Sequence, residues 1–260
     1  MTPKIIHYVW VGGAPKPPIV LKCIESWKKF CPDWEIKEWG DDILSEIDNK
    51  YVCEAYKNRK YAFVADWLRL HVLYKYGGFY LDTDMEILKP IDDFIANEFT
   101  MGLVGRNGKV YINGCFIGSV KGCEIIRELL SVYDDIPFVK TNGELDQKTN
   151  VVRMAEYFAE RWNVRPKNAL IKIVLQPGYV LYPHDFFLSR EGYTYHHYCA
   201  SWIDAWVRKV WIKIGRFKIL RLKRRVNSEN TPIDLLPGEV ELFRIGFGRR
   251  KKILLIRNKC

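Results

Sequence analysis

The sequence predicts an α/β fold built on a largely parallel sheet, continued by a basic C-terminal extension. Three observations predict it. Short apolar runs alternate with amphipathic helical stretches over the first ninety or so residues, the rhythm of βαβ units. The segment from Tyr61 to Leu88 reads as an apolar helix, a Gly-Gly turn and a carboxylate-bearing strand. The charge is also segregated: residues 206–260 hold 16 Lys/Arg against 4 Asp/Glu, a balance of +12, whereas residues 1–205 hold 25 against 27, a balance of −2. The domain is therefore drawn as residues 1–205 and the extension as residues 206–260.

Lys4 to Val11 is a short apolar run closed by Gly12 and Gly13, as for a buried strand that feeds a loop. In open α/β sheets ligands bind at the carboxyl ends of strands, which places Trp10 and the two glycines favourably. Ile19 to Phe30 follows as an amphipathic helix with Ile19, Cys23, Ile24, Trp27 and Phe30 inward, and Pro32 stops it. Trp34 to Trp39 is a second strand, and a polar helical connection begins at Asp41.

From Ala62 to Tyr76 the chain is helical, and Phe63, Trp67, Leu70 and Tyr74 share one stripe. Further apolar positions leave this helix hydrophobic over most of its circumference, so it belongs in a core. Asp66 and Arg69, three residues apart, are neighbours on that helix. They read either as an internal ion pair or as part of a polar pocket shared with the following carboxylates. Gly77 and Gly78 end the helix. Phe79 to Leu88 is then read as one strand with Tyr80, Asp82, Asp84 and Glu86 on one face, a row that is costly unless a cation sits there.

Downstream, Phe99 to Val104 and Val110 to Gly118 read as strands, Glu124 to Tyr133 and Val151 to Trp162 as helices, and Leu170 to Leu175 and Tyr179 to Tyr182 as strands. Tyr193 to Trp202, YTYHHYCASW, brings two histidines, a serine and a tryptophan together just before the extension. The extension is predicted to open with an amphipathic helix, with Ile203, Val207, Val210, Trp211, Ile214 and Phe217 on its apolar face and Arg208, Lys209, Lys213 and Arg216 opposite. Such a helix would attract anionic lipid.

Seven scattered cysteines without a CxxC pair argue against a disulfide framework and a structural zinc site. No run of about 18 apolar residues is present, and the first thirty or so residues lack the apolar core of a signal peptide, so a cytoplasmic location is expected.

The compound pattern KIIHYVWVGG, AFVADWLRLHVLYKYGGFYLDTD and YHHYCASW resembles the retaining glycosyltransferases that carry the DXD sugar-binding motif (family 32). These include bacterial capsule and lipopolysaccharide transferases and fungal mannosyltransferases, with the catalytic domain of the large glucosylating toxins more distant. The resemblance covers residues 3–90 and 182–202 closely. It implies a GT-A type fold, a Rossmann-like mixed sheet flanked by helices, with the basic amphipathic C-terminal extension outside it.

By the resemblance, Asp82 and Asp84 hold a divalent ion, Mn²⁺ or Mg²⁺, that bridges the donor diphosphate, and His196 completes or supports the metal site, with His197 the alternative. Asp66 and Arg69 contact donor-sugar hydroxyls. Tyr80 and Trp10 pack on the nucleobase, Ser201 and Trp202 close over the diphosphate, and Val9, Tyr61 and Ala65 complete the donor-binding set. Ala65 stands where related sequences carry Ser. The catalytic set is thus Asp66, Arg69, Asp82, Asp84 and His196.

The function so implied is retaining transfer of a sugar from a nucleotide diphosphate, UDP-hexose foremost, to a glycan acceptor, lipid-linked, in surface polysaccharide biosynthesis. The expected location is peripheral, on the inner face of the plasma membrane, with the extension on anionic lipid. A protein-glycosylating effector is the alternative within the same chemistry. A basic nucleic-acid-binding protein is the alternative outside it, but it leaves the carboxylates unexplained, and no nucleic-acid partner is expected.

Overall fold

In the computed structural model, the described residues are 1–106, 109–165, 171–199, 206–214, 217–226, 241–247 and 250–256. They fall into two units, Met1–His197 and Tyr198–Cys260.

The first unit is built on a seven-stranded mixed sheet. Its strands are β1 (Ile5–Val9), β2 (Glu35–Trp39), β3 (Gly78–Leu81), β5 (Phe99–Arg106), β6 (Lys109–Ser119), β7 (Ile173–Gln176) and β8 (Tyr179–Tyr182), with β4 (Met85–Ile87) lying outside this sheet. Their order is β2-β1-β3-β6-β5-β8-β7. Strand β1 runs parallel to both β2 and β3, so the carboxyl ends of all three share one edge. Beyond β3 the pairing alternates: β6 is antiparallel to β3 and to β5, β8 is parallel to β5, and β7 is antiparallel to β8.

Two apolar layers enclose this sheet. One contains Trp27, Cys23 and Ile24 of α1 (Pro18–Phe30), packed with Ile6, Phe79, Leu81 and Phe116. The other is centred on α3 (Tyr61–Tyr76) and includes α2 (Lys50–Lys57), α4 (Glu124–Ser131) and α5 (Asn150–Trp162). Phe63, Val64, Trp67, Leu68, Leu70, Val72 and Leu73 of α3 are all buried, as an all-round apolar helix requires. Tyr74 departs from the predicted stripe and stands exposed. Gly77 ends α3 at φ +70, and a side chain there would meet the Lys121 backbone nitrogen at 2.6 Å. Only Gly77 therefore separates the helix from the central strand, and the two pack together.

The single strand expected over Phe79 to Leu88 is in fact two. β3 ends at Leu81, Asp82 to Asp84 form a turn closed by the Met85 N–H on the Asp82 carbonyl at 2.9 Å, and β4 pairs with β9 (Thr194–His196) in a separate two-stranded sheet. The row of carboxylates on one strand face is therefore not formed. A central strand buried on both sides cannot hold ionised groups cheaply, and breaking it at the sheet edge lets Asp82 and Asp84 leave the core.

The second unit is an antiparallel four-stranded sheet, β10 (Trp206–Ile214), β11 (Phe217–Val226), β12 (Glu241–Phe247) and β13 (Arg250–Ile256), paired in sequence order. The amphipathic helix expected across Ile203 to Phe217 is thus a correction: its described part is strand. Val207, Val210, Ile212 and Ile214 are β-branched and alternate with aromatic and basic residues, a composition that suits extended backbone better than a helix. Among the described residues no helix is long and apolar enough to cross a membrane.

Candidate active site

The carboxyl edge shared by β1, β2 and β3 delivers three loops to one place: Trp10 to Gly13, Asp41, and Asp82 to Asp84. Asp41 Oδ1 accepts from the Gly12 N–H at 2.8 Å, tying the first loop to the second. Gly12 has φ +92, and a side chain there would lie 2.4 Å from the Tyr61 ring, so Tyr61 at the start of α3 packs directly on this loop. Trp10, half-buried, donates its Nε1 to the Ala14 carbonyl at 2.6 Å. Lys16 stands within 6.0 Å of the Tyr8 ring centre and 5.9 Å of that of Trp10, and its ammonium pairs with Glu38 at 2.7 Å. Val9 is buried behind this loop, while Ala65 is half-buried on α3.

Arg69 organises the next layer. Its Nη2 lies 2.9 Å from Asp66 Oδ1 and 3.2 Å from Asp82 Oδ1, and its Nη1 donates to the Gly114 carbonyl at 2.7 Å. The guanidinium also stacks on Tyr80, 4.8 Å from the ring centre, and the Tyr80 hydroxyl donates to Asp82 Oδ1 at 3.0 Å. Both readings of the Asp66/Arg69 pair are therefore realised: it is an ion pair, and it is joined to the DXD carboxylates. Burial works against the charge on Arg69, but Asp82, Tyr80 and Asp66 outweigh it and keep the guanidinium protonated. Burial pushes the Asp66 carboxyl up, against the pull of Arg69 and of the Asn150 N–H.

His196 and His197 point to different carboxylates. His196 Nε2 is 3.1 Å from Asp84 Oδ1, whereas His197 Nε2 is 2.8 Å from Glu86 Oε2, and Glu86 Oε1 pairs with Lys22 at 3.0 Å. The registers explain the split. β9 pairs Met85 with His196, and the His197 N–H donates to the Asp84 carbonyl at 3.0 Å, so adjacent side chains fall on opposite sides. Burial lowers the His196 pKa, but the hydrogen bond and charge of Asp84 exceed that effect and raise it overall. Ser201 and Trp202 lie outside the described residues.

Three site neighbours escaped sequence reasoning. The register of β5 on β6 jumps between Met101 and Gly102, leaving Gly114 to Phe116 as a bulge on β6. That bulge turns the Gly114 carbonyl to Arg69 and the Cys115 carbonyl to the Asp82 N–H, the latter at 2.9 Å. The Cys115 sulfur lies 3.7 Å from His196 Nδ1, and burial pushes its thiol pKa well up, helped by Asp82 and Asp84. Asn150, the first residue of α5, donates its N–H to Asp66 Oδ2 at 3.0 Å and its side-chain amide to the Asp66 carbonyl at 3.1 Å. A glycine inside the strand pattern INGCFIG is the signal that marks such a bulge. Among the described residues, buried Asn113 Nδ2 and Asn150 Oδ1 have no hydrogen-bond partner, polar atoms of the kind a ligand can satisfy.

Residues 17–100, from α1 to the start of β5, match the family described as "Glycosyltransferase sugar-binding region containing DXD motif". The match covers less than half of the chain. Its two motif aspartates are Asp82 and Asp84, and Asp66 and Arg69 lie within the matched span. Beyond this region the chain is similar to "Mannosyl phosphorylinositol ceramide synthase SUR1" of Saccharomyces cerevisiae (strain ATCC 204508 / S288c), at 24% identity over 70% of this chain and 53% of that protein. It is also similar to "Inositol phosphoceramide mannosyltransferase 3" of Schizosaccharomyces pombe (strain 972 / ATCC 24843), at 26% identity over 77% of this chain and 58% of that protein. The chain thus spans little more than half the length of these relatives. Among solved structures, the chain described as "PaToxG Glycosyltransferase" aligns with a TM-score of 0.46 and 18% identity, covering 62% of this chain and 70% of that one.

A divalent cation fits the donor set. Asp82 and Asp84 offer hard carboxylate oxygens and His196 an imidazole nitrogen beside Asp84, and all three residues are half-buried.

Proposed function

We propose that this chain transfers a sugar from a nucleotide-diphosphate donor to a glycan or glycolipid acceptor, using a divalent cation held by Asp82, Asp84 and His196. The observation that carries the reading is the carboxylate-rich edge, where one cation, Arg69, is shared between Asp66 and Asp82 beneath the DXD turn. When bound, a divalent cation would neutralise the diphosphate leaving group. The residues of the chain do the rest. Arg69 and the Tyr80 hydroxyl fix the orientation of Asp82, and Asn150 fixes Asp66. Trp10 and Tyr61 line the loop at which a nucleobase or ribose would pack. No carboxylate is assigned as a covalent nucleophile, and retention at the anomeric carbon is part of the proposal.

UDP-hexose remains the first donor class on the motif resemblance. A mannosyl donor stands beside it, because both named relatives carry mannose in their names. The same names, with their ceramide, support a lipid-borne acceptor and a site of action at a membrane surface. The charge of residues 206–260 supports that location whether the segment is helix or strand, since a balance of +12 is attracted to anionic lipid in either form.

The deciding experiment incubates the full chain with UDP-glucose, UDP-galactose, UDP-N-acetylhexosamines and GDP-mannose, with Mn²⁺, Mg²⁺ or a chelator. Cation-dependent release of the nucleoside diphosphate from one of them supports the reading. No release from any donor, with or without lipid-linked and protein acceptors, overturns it.

A further inference from the structure

We propose that Asp82, Cys115 and His196 form a site for thiophilic divalent cations of the zinc class, overlapping the DXD site and exclusive of a hard cation there. One ligand atom from each residue, a carboxylate oxygen, the thiol sulfur and an imidazole nitrogen, lies within 4.8 Å of the other two. The Cys115 sulfur is 3.7 Å from His196 Nδ1 and 3.8 Å from Nε2. A tetrahedral zinc ion with Zn–S of about 2.3 Å and Zn–N of about 2.0 Å holds its sulfur and nitrogen roughly 3.5 Å apart. The sulfur–nitrogen spacing therefore needs only a few tenths of an ångström of adjustment, and the Asp82 carboxylate, within 4.8 Å of both atoms, closes the set by a side-chain rotation.

The three anchors come from three elements, the turn after β3, the β6 bulge and β9, each tied by backbone hydrogen bonds. Asp82 is held by its N–H on the Cys115 carbonyl, Cys115 by its N–H on Asn113 Oδ1 at 2.9 Å, and His196 by its β9 register opposite Met85. Such a set is ordered before any ion arrives. Three protein ligands leave a fourth tetrahedral position open to water or phosphate.

The chemistry separates this set from the DXD pair. Carboxylate and phosphate oxygens suit Mn²⁺ and Mg²⁺, which gain little from sulfur, whereas a thiolate with an imidazole selects zinc, cobalt or cadmium. On binding, the sulfur–metal bond forms as the thiol proton passes to solvent, with no change of oxidation state. Because Asp82 and His196 serve both sets, a zinc-class ion and a hard cation cannot be held together. His196 sits between the alternatives, 3.1 Å from Asp84 and 3.7 Å from Cys115. The binding stands on this geometry alone, and only its consequence, arrest of turnover by zinc, rests on the proposed glycosyl transfer.

The test uses the full chain, stripped of metal by a chelator and titrated with Co²⁺. The wild type should develop a thiolate-to-cobalt charge-transfer band. Cys115→Ser should lack the band and bind Co²⁺ at least about ten-fold more weakly, while keeping its Mn²⁺ affinity. Cys199→Ser, in the same late motif, should keep the band. A band that persists in Cys115→Ser, or that is lost only in Cys199→Ser, overturns the assignment. A second measurement needs no variant: Zn²⁺ but not Mg²⁺ should displace Co²⁺ from the wild type and abolish the charge-transfer band. A band that survives an excess of Zn²⁺ counts against the site. None of these readouts requires turnover, so a chain that hydrolyses no nucleotide sugar would sink the proposed function and leave this test intact.

Discussion

Arg69 Nη2 lies 3.2 Å from Asp82 Oδ1, joining a helix that is apolar nearly all round to the first aspartate of the DXD turn. The contact spans the Gly77-Gly78 junction and makes α3 and the turn one electrostatic unit. The same guanidinium neutralises Asp66, so one buried cation serves two carboxylates.

Removing that cation should therefore be severe. Arg69→Met leaves Asp66 and Asp82 facing each other without compensation, and loss of one partner from a buried pair costs about 3 to 5 kcal/mol. Urea denaturation should show a loss of that order. Arg69→Lys should recover part of the stability but not the bond to Gly114. Stability of Arg69→Met within about 0.5 kcal/mol of the wild type, the range of ordinary surface substitutions, would show that the pair is not coupled as described.

Asp84→Asn should abolish cation-dependent donor hydrolysis while the chain stays folded, because Asp84 lies in the turn after β3 and the amide keeps an oxygen to face His196 Nε2. Nucleoside diphosphate release and a thermal melt measured on the same sample separate the two effects. Unchanged release would remove Asp84 from the cation site.

Gly12→Ala should act through Tyr61. The added methyl would meet the Tyr61 ring at 2.4 Å and strain a backbone at φ +92, at a cost of about 1 to 3 kcal/mol. If this loop receives the nucleotide, the donor KM rises more than kcat falls. An unchanged KM in a destabilised variant would make the contact purely structural.

His7 gives a pH dependence. It is fully buried, its Nε2 donates to the Gly77 carbonyl at 2.7 Å, and its Nδ1 accepts from Trp39 Nε1 at 3.1 Å, which fixes a neutral ring. Burial, with a smaller contribution from Lys37, lowers its pKa to about 4 from 6.5. The unfolded chain takes up the proton first. The stability due to neutral His7 is thus full above pH 6.5 and is lost as pH falls towards about 4, a loss of about 3 kcal/mol. Unfolding free energies measured across that window should show this slope, and His7→Gln should flatten it. Half-buried His71 shifts in the same direction and adds to the slope.

Removal of residues 206–260 should abolish cosedimentation with anionic vesicles and leave donor hydrolysis measurable. Full recovery on vesicles after removal would refute a lipid-binding role for the extension. Tight, salt-sensitive binding of nucleic acid by the intact chain, without vesicle binding, would favour the nucleic-acid alternative.

The sequence by itself determined what local pattern encodes. The all-round apolar stretch from Phe63 to Leu73 could only be a buried helix, and Gly77 could only end it. The spacing of Asp66, Arg69, Asp82 and Asp84 then placed four charges near one helix–strand junction. Tertiary structure decided where those charges found partners. Asn150 reaches Asp66 across 84 positions of chain, and Cys115 reaches His196 across 81. Such pairings follow from sheet order and from a bulge in β6, and neither leaves a local periodicity to read. The break between β3 and β4 was equally hidden, because alternating Tyr80, Asp82, Asp84 and Glu86 fit a continuous strand until the cost of burying carboxylates is counted. The basic extension misled for a related reason: its residues can be laid on a helical wheel, but the β-branched content of Val207 to Ile214 favours extended backbone, and pairing between its segments, β10 to β13, forms the sheet.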